Sequence, residues 1–275
     1  MEAITIRRIT GENLDLCIPA IVHVFRDDPV VPWYKSDECK VWVTRRAGRG
    51  FYIVGAYQGD AMVGYSEWIE TYDRDRKVLY LGLMQVDCEL RGRGIGGVML
   101  AGGEAYARSI GAEALRTMPE DERSHAFYRK YGFVDTDKTF TCDCATIEGL
   151  TQDCPPAAVT LDVVNTHEMI FGLCQMSGRH MYEIANHAPE GHGWLRKNAG
   201  IHGGYLQFWH PTDADKATAL YWSNERVTSA TVIAILAQGR AAGFSEITFI
   251  FRTKYSDLFA GYSVTQNDIE LERKI

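Results

Sequence analysis

The sequence predicts an α/β fold in which a mixed, largely antiparallel sheet is flanked by helices. Short apolar or alternating runs, which are typical of strands, are interleaved with segments that carry apolar residues at helical spacing. A similar order of elements recurs in the second half, which indicates an internal structural repeat. We therefore expect two tandem domains, at residues 1–150 and 157–275. Two adjacent prolines within residues 151–156 mark the boundary between them.

The first half begins with alternating branched and polar residues at Ile4–Arg8, a predicted strand, and a predicted helix follows at Leu14–Phe25. A Gln-Gly-Asp turn then separates two predicted strands, Tyr52–Tyr57 and Ala61–Glu70. The next run, Val78–Val86, is nearly all apolar, as expected of a central strand that is covered on both faces.

A glycine-rich stretch then leads into a helix at Val98–Ile110, which Gly111 ends. The remaining elements of this half are a strand at Ala114–Met118, a helix at Ser124–Tyr131 and a strand at Phe140–Ala145. In the second half we predict strands and helices in a similar order. The strands are Val159–Val164, Gly204–Trp209, Thr218–Ser223 and Glu246–Arg252, and the helices are Glu168–Met176 and Ser229–Ala242.

The composition excludes several classes of protein. A net charge of -7 and a pI of about 5.6 argue against nucleic-acid binding, which needs clustered Lys and Arg. No apolar run approaches the roughly 20 residues of a membrane span, so no membrane partner is expected. The odd cysteine count, the absence of a Cys-x-x-Cys pair and the absence of a signal peptide predict reduced thiols and a cytoplasmic location. No metal is expected, because the histidines form no helical i, i+4 pair and zinc ligands are usually spaced more widely than Cys142 and Cys144, for which a metal role is the alternative.

The chemistry is concentrated in the turn between the apolar strand and the helix after it, Arg91-Gly92-Arg93-Gly94-Ile95-Gly96-Gly97. The first N–H groups of a helix have no intrahelical acceptor, and with the helix dipole they bind anions. Glycines allow phosphate oxygens to approach the backbone, and the two arginines add positive charge. We therefore expect a pyrophosphate-binding turn.

Two nucleotide-binding motifs fit this turn poorly. A Walker loop ends in Gly-Lys-Ser or Gly-Lys-Thr, which is absent here. Gly92, Gly94 and Gly97 have the spacing of a Rossmann fingerprint, but that motif follows the first strand of a βαβ unit, whereas several antiparallel-type strands precede this turn. These departures argue against a dinucleotide-dependent oxidoreductase.

The turn resembles the acyl-CoA pyrophosphate loop of the GCN5-related N-acetyltransferase (GNAT) superfamily, Arg/Gln-x-x-Gly-x-Gly/Ala, with Arg91, Gly94 and Gly96 at the fixed positions. The resemblance implies that acetyl-CoA is the cosubstrate and that the preceding strand splays from the next one to admit the pantetheine arm. Together with the repeated order of elements in the second half, it implies tandem acyl-CoA N-acyltransferase-like domains. The cofactor-binding residues it implies are Met84, Val86, Arg91, Gly92, Arg93, Gly94, Ile95, Gly96, Gly97 and Tyr128.

A second motif, His125–Phe133, is similar to a later helix of the same superfamily that ends in Tyr and then Gly-Phe. The resemblance implies that Tyr128 donates a proton to the departing CoA thiolate; the alternative is that Tyr128 only packs on the cofactor. One departure is Asp121, which stands where many relatives carry an asparagine.

The implied reaction is direct attack of a small-molecule amine on the thioester, by a monomer or a homodimer. The amine must lose a proton, and the strand at Val78–Val86 contains no carboxylate. Glu67 is our candidate base, with Glu70 and Asp28 as substitutes; the alternative for each is a solvated surface acid. Without a base, the chain would be a protein that binds or senses acyl-CoA without turnover.

The second half contains no glycine-rich turn before its long predicted helix. The corresponding segment is Ser223–Ser229, which includes an acid, Glu225, where phosphate would lie. The second half therefore resembles a degenerate acetyltransferase domain that has lost cofactor binding.

Overall fold

A computed structural model describes residues 3–28, 34, 38–73, 76–148, 157–172, 177–187, 194–211 and 214–275. The chain forms two compact units. The first unit comprises Met1–Glu70, Lys77–Thr117 and Arg273–Ile275, and the second comprises Thr71–Arg76 and Met118–Glu272. The domain boundary predicted at residues 151–156 lies outside the described residues.

The described residues of the first unit form a sheet in the order β1-β2-β3-β4-β5 and the α-helices α1, α2 and α3. β1, β2 and β3 are antiparallel neighbours, whereas β4 and β5 are parallel. The strands are β1 (Ile4–Arg8), β2 (Tyr52–Gln58), β3 (Ala61–Asp73), β4 (Arg76–Val86) and β5 (Ala114–Thr117). The helices are α1 (Leu14–Val24), α2 (Glu38–Ala47) and α3 (Ile95–Ser109).

Both faces of this sheet are covered, which explains the apolar character of its central strands. On one face, Tyr65 and Ile69 of β3 belong to a core shared with α1 and α2. On the other face, α3 approaches closely. A Cβ at Gly103 would lie 2.3 Å from the ring of Trp68, so glycine is required for α3 to pack on β3.

The seven other described strands, β6–β12, follow in the order β12-β6-β11-β7-β10-β9-β8 and lie in the second unit, except for the last residues of β12. The strands are β6 (Val134–Ala145), β7 (Glu168–Phe171), β8 (Trp194–Ile201), β9 (Gly204–Pro211), β10 (Lys216–Ser223), β11 (Glu246–Arg252) and β12 (Val264–Lys274). The helices are α4 (Glu122–Lys130), α5 (Leu161–Thr166), α6 (Gly178–His187) and α7 (Ser229–Ala241). The mixed α/β class with a largely antiparallel sheet is thus confirmed.

Strand β6 pairs with strands from the end of the chain. Cys142 lies opposite Phe249 of β11 on one side and opposite Val264 of β12 on the other, and both pairings are antiparallel. The sequence analysis assigned Phe140–Ala145 to the first domain, yet in the structure this strand lies within the sheet of the second unit.

Two elements of the second half were predicted wrongly. Val159–Val164 was expected to be a strand because of its three valines, but residues Leu161–Thr166 form α5, whose N-cap Thr160 accepts a hydrogen bond from Val163 N at 3.3 Å. Glu168–Met176 was expected to be a helix, but Glu168–Phe171 form β7. Tertiary pairing overrides the local apolar spacing there. The sequence analysis also missed α2, α6 and β8.

Candidate functional site

The glycine-rich turn joins the end of β4 to the start of α3, as predicted. Asp87 follows β4, and its carboxylate accepts a hydrogen bond from Glu89 N at 3.0 Å, which begins a short 3-10 helix at Cys88–Leu90. The turn then runs to Gly94, the N-cap of α3. Behind it, Ile95 is buried in a core cluster with Met99 and Val63. The turn is thus exposed on one side and anchored on the other.

Glycine is required at two positions of this turn. Gly92 and Gly94 have φ angles of +81° and +85°, in the left-handed region that L side chains rarely adopt. A Cβ at either residue would meet no heavy atom within 4 Å, so the space above both residues is open. The turn therefore presents bare backbone to solvent, as the close approach of a phosphate requires.

The start of α3 is suited to an anion. No side chain caps Gly94, and the first helical turn, Ile95-Gly96-Gly97-Val98, contains no acid that would compete for its N–H groups. The side chains of Arg91 and Arg93 are exposed beside it. Arg91 Nε also donates to the carbonyl of Val86 at 3.2 Å, so this side chain folds back over the end of β4.

Strand β4 extends past its parallel neighbour. Its pairing with β5 covers Val78–Leu81, and Thr117 Oγ1 donates to the carbonyl of Leu81 at 3.2 Å where the pairing ends. β5 ends at Thr117, whereas β4 continues to Val86, and no strand of the described chain is inserted between the two. We call the space beside β4 beyond Leu81 the first slot. Met84 and Val86, both partly buried, lie along it.

The end of α1 is fastened to the start of the turn by an ion-pair cluster. Arg26 donates to both carboxylate oxygens of Asp87, at 3.0 and 2.9 Å, and to Glu89 at 3.1 Å. The hydrogen bonds from Arg26 lower the pKa of Asp87 to about 2. Because the Asp87 side chain is almost completely buried, this cluster fixes the position from which the turn begins.

Glu67, the candidate base, lies in the core of the first unit rather than at its surface. Its side chain is fully buried. One carboxylate oxygen accepts hydrogen bonds from the hydroxyls of Tyr34 and Tyr65, the latter at 2.5 Å, and the other accepts from Arg46. The interpretation of Glu67 as a solvated surface acid is therefore wrong. Every carboxylate oxygen already has a donor, which favours a role in holding side chains in place.

The charges around Glu67 agree with that role. Burial works against the charge of Arg46, yet the attraction of Glu67 raises the pKa of this guanidinium above its usual value. Burial also raises the pKa of the Tyr34 and Tyr65 hydroxyls, so both keep their protons and act as donors. The substitute bases are also engaged: Glu70 pairs with Lys77 at 3.1 Å, and Asp28 accepts from Gln85 at 2.8 Å.

Tyr128 and Asp121 belong to the second unit, whereas the turn and Glu67 belong to the first. Tyr128 lies on α4, is buried, and packs against the rings of Phe127 and Phe133, with centroids 5.1 and 5.4 Å away. Asp121 is the N-cap of α4 and accepts from Ser124 N at 2.7 Å. Capping explains why a carboxylate is tolerated at position 121.

The described residues of the turn fit the diphosphate of an acyl-CoA. Two glycines leave open space, an uncapped helix start offers N–H groups, and two exposed arginines supply charge. Among the described residues, no group of three or more His, Cys, Asp or Glu side chains could hold a metal ion. Across that same part of the chain, no helix is long and apolar enough to cross a membrane.

Comparisons with known proteins find similarity in part of the sequence and in the fold. Residues 18–133 match the Acetyltransferase (GNAT) family. No curated protein sequence matches the chain significantly. A GCN5-related N-acetyltransferase from Kribbella flavida is similar in structure, with a TM-score of 0.67 and 13% identity over 99% of this chain and 71% of that one.

Two further solved structures match nearly the whole chain. A putative acetyltransferase from Pyrococcus horikoshii has a TM-score of 0.61 and 13% identity, over 100% of this chain and 90% of that one. A tandem GNAT protein from the clavulanic acid biosynthesis pathway has a TM-score of 0.53 and 11% identity, over 99% and 98%. Residues 18–133 are therefore similar to the GNAT family, and the chain shares its fold with solved GNAT structures, a tandem GNAT protein among them.

Proposed function

We propose that this protein is an N-acetyltransferase that moves the acetyl group of acetyl-CoA to the amine of a small molecule by direct attack. The observation that carries the proposal is the bare, positively charged turn at residues 91–97, which opens beside the free end of β4. The GNAT family and fold support acyl transfer in general. The acetyl group and the amine acceptor are the parts that we propose.

The residues of the first unit would bind and orient the cosubstrate. The N–H groups at the start of α3, with Arg91 and Arg93, would hold the diphosphate. The backbone of Met84–Val86 would pair with the amides of the pantetheine arm along the first slot, because β5 leaves that edge of β4 uncovered. An N–H at the end of β4 would then polarise the thioester carbonyl.

One side chain remains as a proposed catalyst. Tyr128 would donate a proton to the leaving thiolate, because the thiol that forms has a pKa of about 8.5. Glu67 was predicted as the base, but its burial and its three donors suit a positioning role, in which it holds Arg46 and two tyrosines in the core of the first unit. We propose that the amine loses its proton to water when it enters.

A second candidate function is acyl-CoA binding without turnover. The observation that favours it is the engagement of every candidate carboxylate: Glu67 with Arg46, Glu70 with Lys77, and Asp28 with Gln85. In that case the turn would bind acyl-CoA as described, and no amine would be acetylated.

The test is a calorimetric titration with acetyl-CoA, beside CoA, NAD and ATP. We expect acetyl-CoA and CoA to bind and the two nucleotides not to bind. A panel of small amines is then assayed for release of the CoA thiol. Binding with release supports the transferase, and binding without release across the panel supports the second candidate. Equal binding of NAD would contradict both.

Tyr128→Phe examines the proposed acid. Loss of the proton donor is expected to lower kcat by about a hundredfold, the lower range for a general acid. The affinity for acetyl-CoA in the same titration should not change, because the phenyl ring still packs on Phe127 and Phe133. An unchanged kcat would leave Tyr128 as a packing residue.

A further inference from the structure

The second unit contains a pair of parallel strands that diverge as β4 and β5 do. β10 pairs with β11 over Lys216–Thr218, opposite Glu246–Thr248. Beyond this point the two strands separate. We call the space between them the second slot. Its position relative to β10 and α7 corresponds to that of the first slot relative to β4 and α3.

Strand β7 fills the second slot. It runs antiparallel to β10, with Phe171 opposite Tyr221 and Glu168 opposite Ser223. On its other side, Phe171 lies opposite Phe251 of β11. The strand therefore uses the backbone edges that the divergence of β10 and β11 exposes, and in the described chain it is the neighbour of both.

The side chains of β7 are built into the core at this place. All four residues of the strand are buried, and Phe171 is fully inaccessible to solvent. Its ring is surrounded by other aromatic rings at centroid distances of 5.1–6.3 Å, which belong to Phe249, Phe259, Tyr221 and Tyr255. A ligand entering the slot would have to displace this aromatic cluster.

Both ends of β7 are also fastened. The carboxylate of Glu168 accepts from Lys254 and, at 3.2 Å, from the Tyr255 hydroxyl. Glu168 N donates to Asn224 Oδ1 at 3.3 Å, and Asn224 Nδ2 donates to the carbonyl of Thr166 at 2.7 Å. At the other end, Gly172 N donates to the carbonyl of Ile250 at 2.9 Å.

Asn224 connects β7 to the segment that corresponds to the glycine-rich turn of the first unit. It lies between β10 and α7, where the first unit has its glycine-rich turn between β4 and α3. In the first unit that connection presents N–H groups to solvent, whereas here a side chain of the connection holds the backbone at Thr166 and at Glu168, on both sides of His167.

We propose that β7 is a built-in occupant of the second slot, so that the second unit takes no acyl-CoA and the chain has one acyl-CoA site, in the first unit. The inference rests on the proposed function for its count of sites. A peptide strand is a chemically matched occupant, because it offers the N–H and C=O groups that the amides of a pantetheine arm would offer.

Native mass spectrometry in excess acetyl-CoA counts the sites. We expect one acetyl-CoA per wild-type chain, none in Gly94→Glu, and one in Gly111→Glu. Gly111 is a matched control, since it lies beyond the other end of α3 with a φ of +70° and equally open space. Two molecules per wild-type chain, or one retained by Gly94→Glu, would overturn the inference while leaving acyl-CoA binding intact.

Amide hydrogen exchange of the free protein tests, without any ligand, whether β7 is held stably in the second slot. The amides of Met169–Phe171 are expected to exchange at least about a thousandfold more slowly than in an unstructured chain, as core strands do. Asn224→Ala should speed their exchange by about tenfold through the lost hydrogen bonds. Rapid exchange in the wild type would overturn the inference. If no acetyl-CoA binds at all, the proposed function fails and this exchange rate alone decides the role of β7.

Discussion

The two slots of this protein differ in what fills them. In the first unit, β4 runs past the end of β5 and leaves a free backbone edge beside a bare glycine turn. In the second unit, β10 and β11 diverge in the same way, but β7 lies between them and Asn224 holds its start. The first arrangement is suited to binding an extended ligand. In the second slot, a strand of the same chain occupies the place of such a ligand.

The first strands of the two halves show how the difference arises. β1 lies at the end of the first unit's sheet, and β2 is its one strand neighbour in the described part of the chain. β7 is the first strand after α5, yet it lies inside its sheet between β10 and β11. In the second unit, the place between the parallel strands is therefore part of the core. This placement agrees with the absence of a glycine-rich turn from the second half.

The largest expected effect is that of Gly94→Glu on acetyl-CoA affinity. A side chain would be strained at a φ of +85° and would place a negative charge where the diphosphate binds. We expect the dissociation constant to rise by about a thousandfold or more, measured by calorimetry. Gly111→Glu carries the same charge and backbone strain and should bind normally; equal losses in both variants would contradict the placement of the site.

The next largest effect is on stability, and it is expected to differ between β7 and β1, the first strands of the two halves. Phe171→Ala in β7 should lower the free energy of unfolding by about 3–5 kcal/mol, because it empties the centre of an aromatic core. Ile6→Ala in β1 should cost less than about 2 kcal/mol, since Ile6 is partly exposed at the sheet edge. Chemical denaturation measures both values. A smaller cost for Phe171→Ala than for Ile6→Ala would show that β7 is not part of the core.

The variant Glu67→Gln distinguishes a positioning role of Glu67 from a role as the general base. Removing one partner of a buried ion pair is expected to lower the free energy of unfolding by about 3 kcal/mol, because Arg46 is left without its counter-charge. Tyr65→Phe, which removes a single donor to the same carboxylate, should cost about 1 kcal/mol. If Glu67→Gln instead abolished turnover with stability unchanged, Glu67 would be the base after all.

The smallest effect concerns the attachment of the turn. Because the folded-state pKa of Asp87 is lowered to about 2, its contribution to stability is complete above its unfolded pKa and is lost as the pH falls toward 2. Asp87→Asn, which keeps an acceptor for Glu89 N, should destabilise the protein by about 2 kcal/mol at neutral pH. The difference from wild type should vanish near pH 2. A difference independent of pH would mean that packing, not charge, is lost.

The sequence predicted the first slot better than the second for a physical reason. The turn at residues 91–97 is a local feature, in which glycines, arginines and the helix start are adjacent in the chain. β7 depends on strands that lie about 50 to 80 residues further along. Its apolar residues at 169–171 fit a helix or a buried strand equally well, and only the slot decides between them.

Glu67 illustrates the same limit. Its position on a predicted strand was read correctly, but its burial depends on Tyr34 and Arg46, which come from segments without a clear pattern. The missed helix α2 supplies Arg46 and also the neighbouring Trp42. A carboxylate on the same strand face as Tyr65 and Ile69 could have signalled a buried pair, since such groups are buried only with partners.

The most direct test of the account is a crystal structure of the protein grown with saturating CoA. We predict one CoA per chain, with its diphosphate on the N–H groups of Ile95–Gly97 and its pantetheine arm beside Met84–Val86. Strand β7 should remain between β10 and β11. Density for CoA between β10 and β11, or a diphosphate bound away from the turn at residues 91–97, would contradict the account.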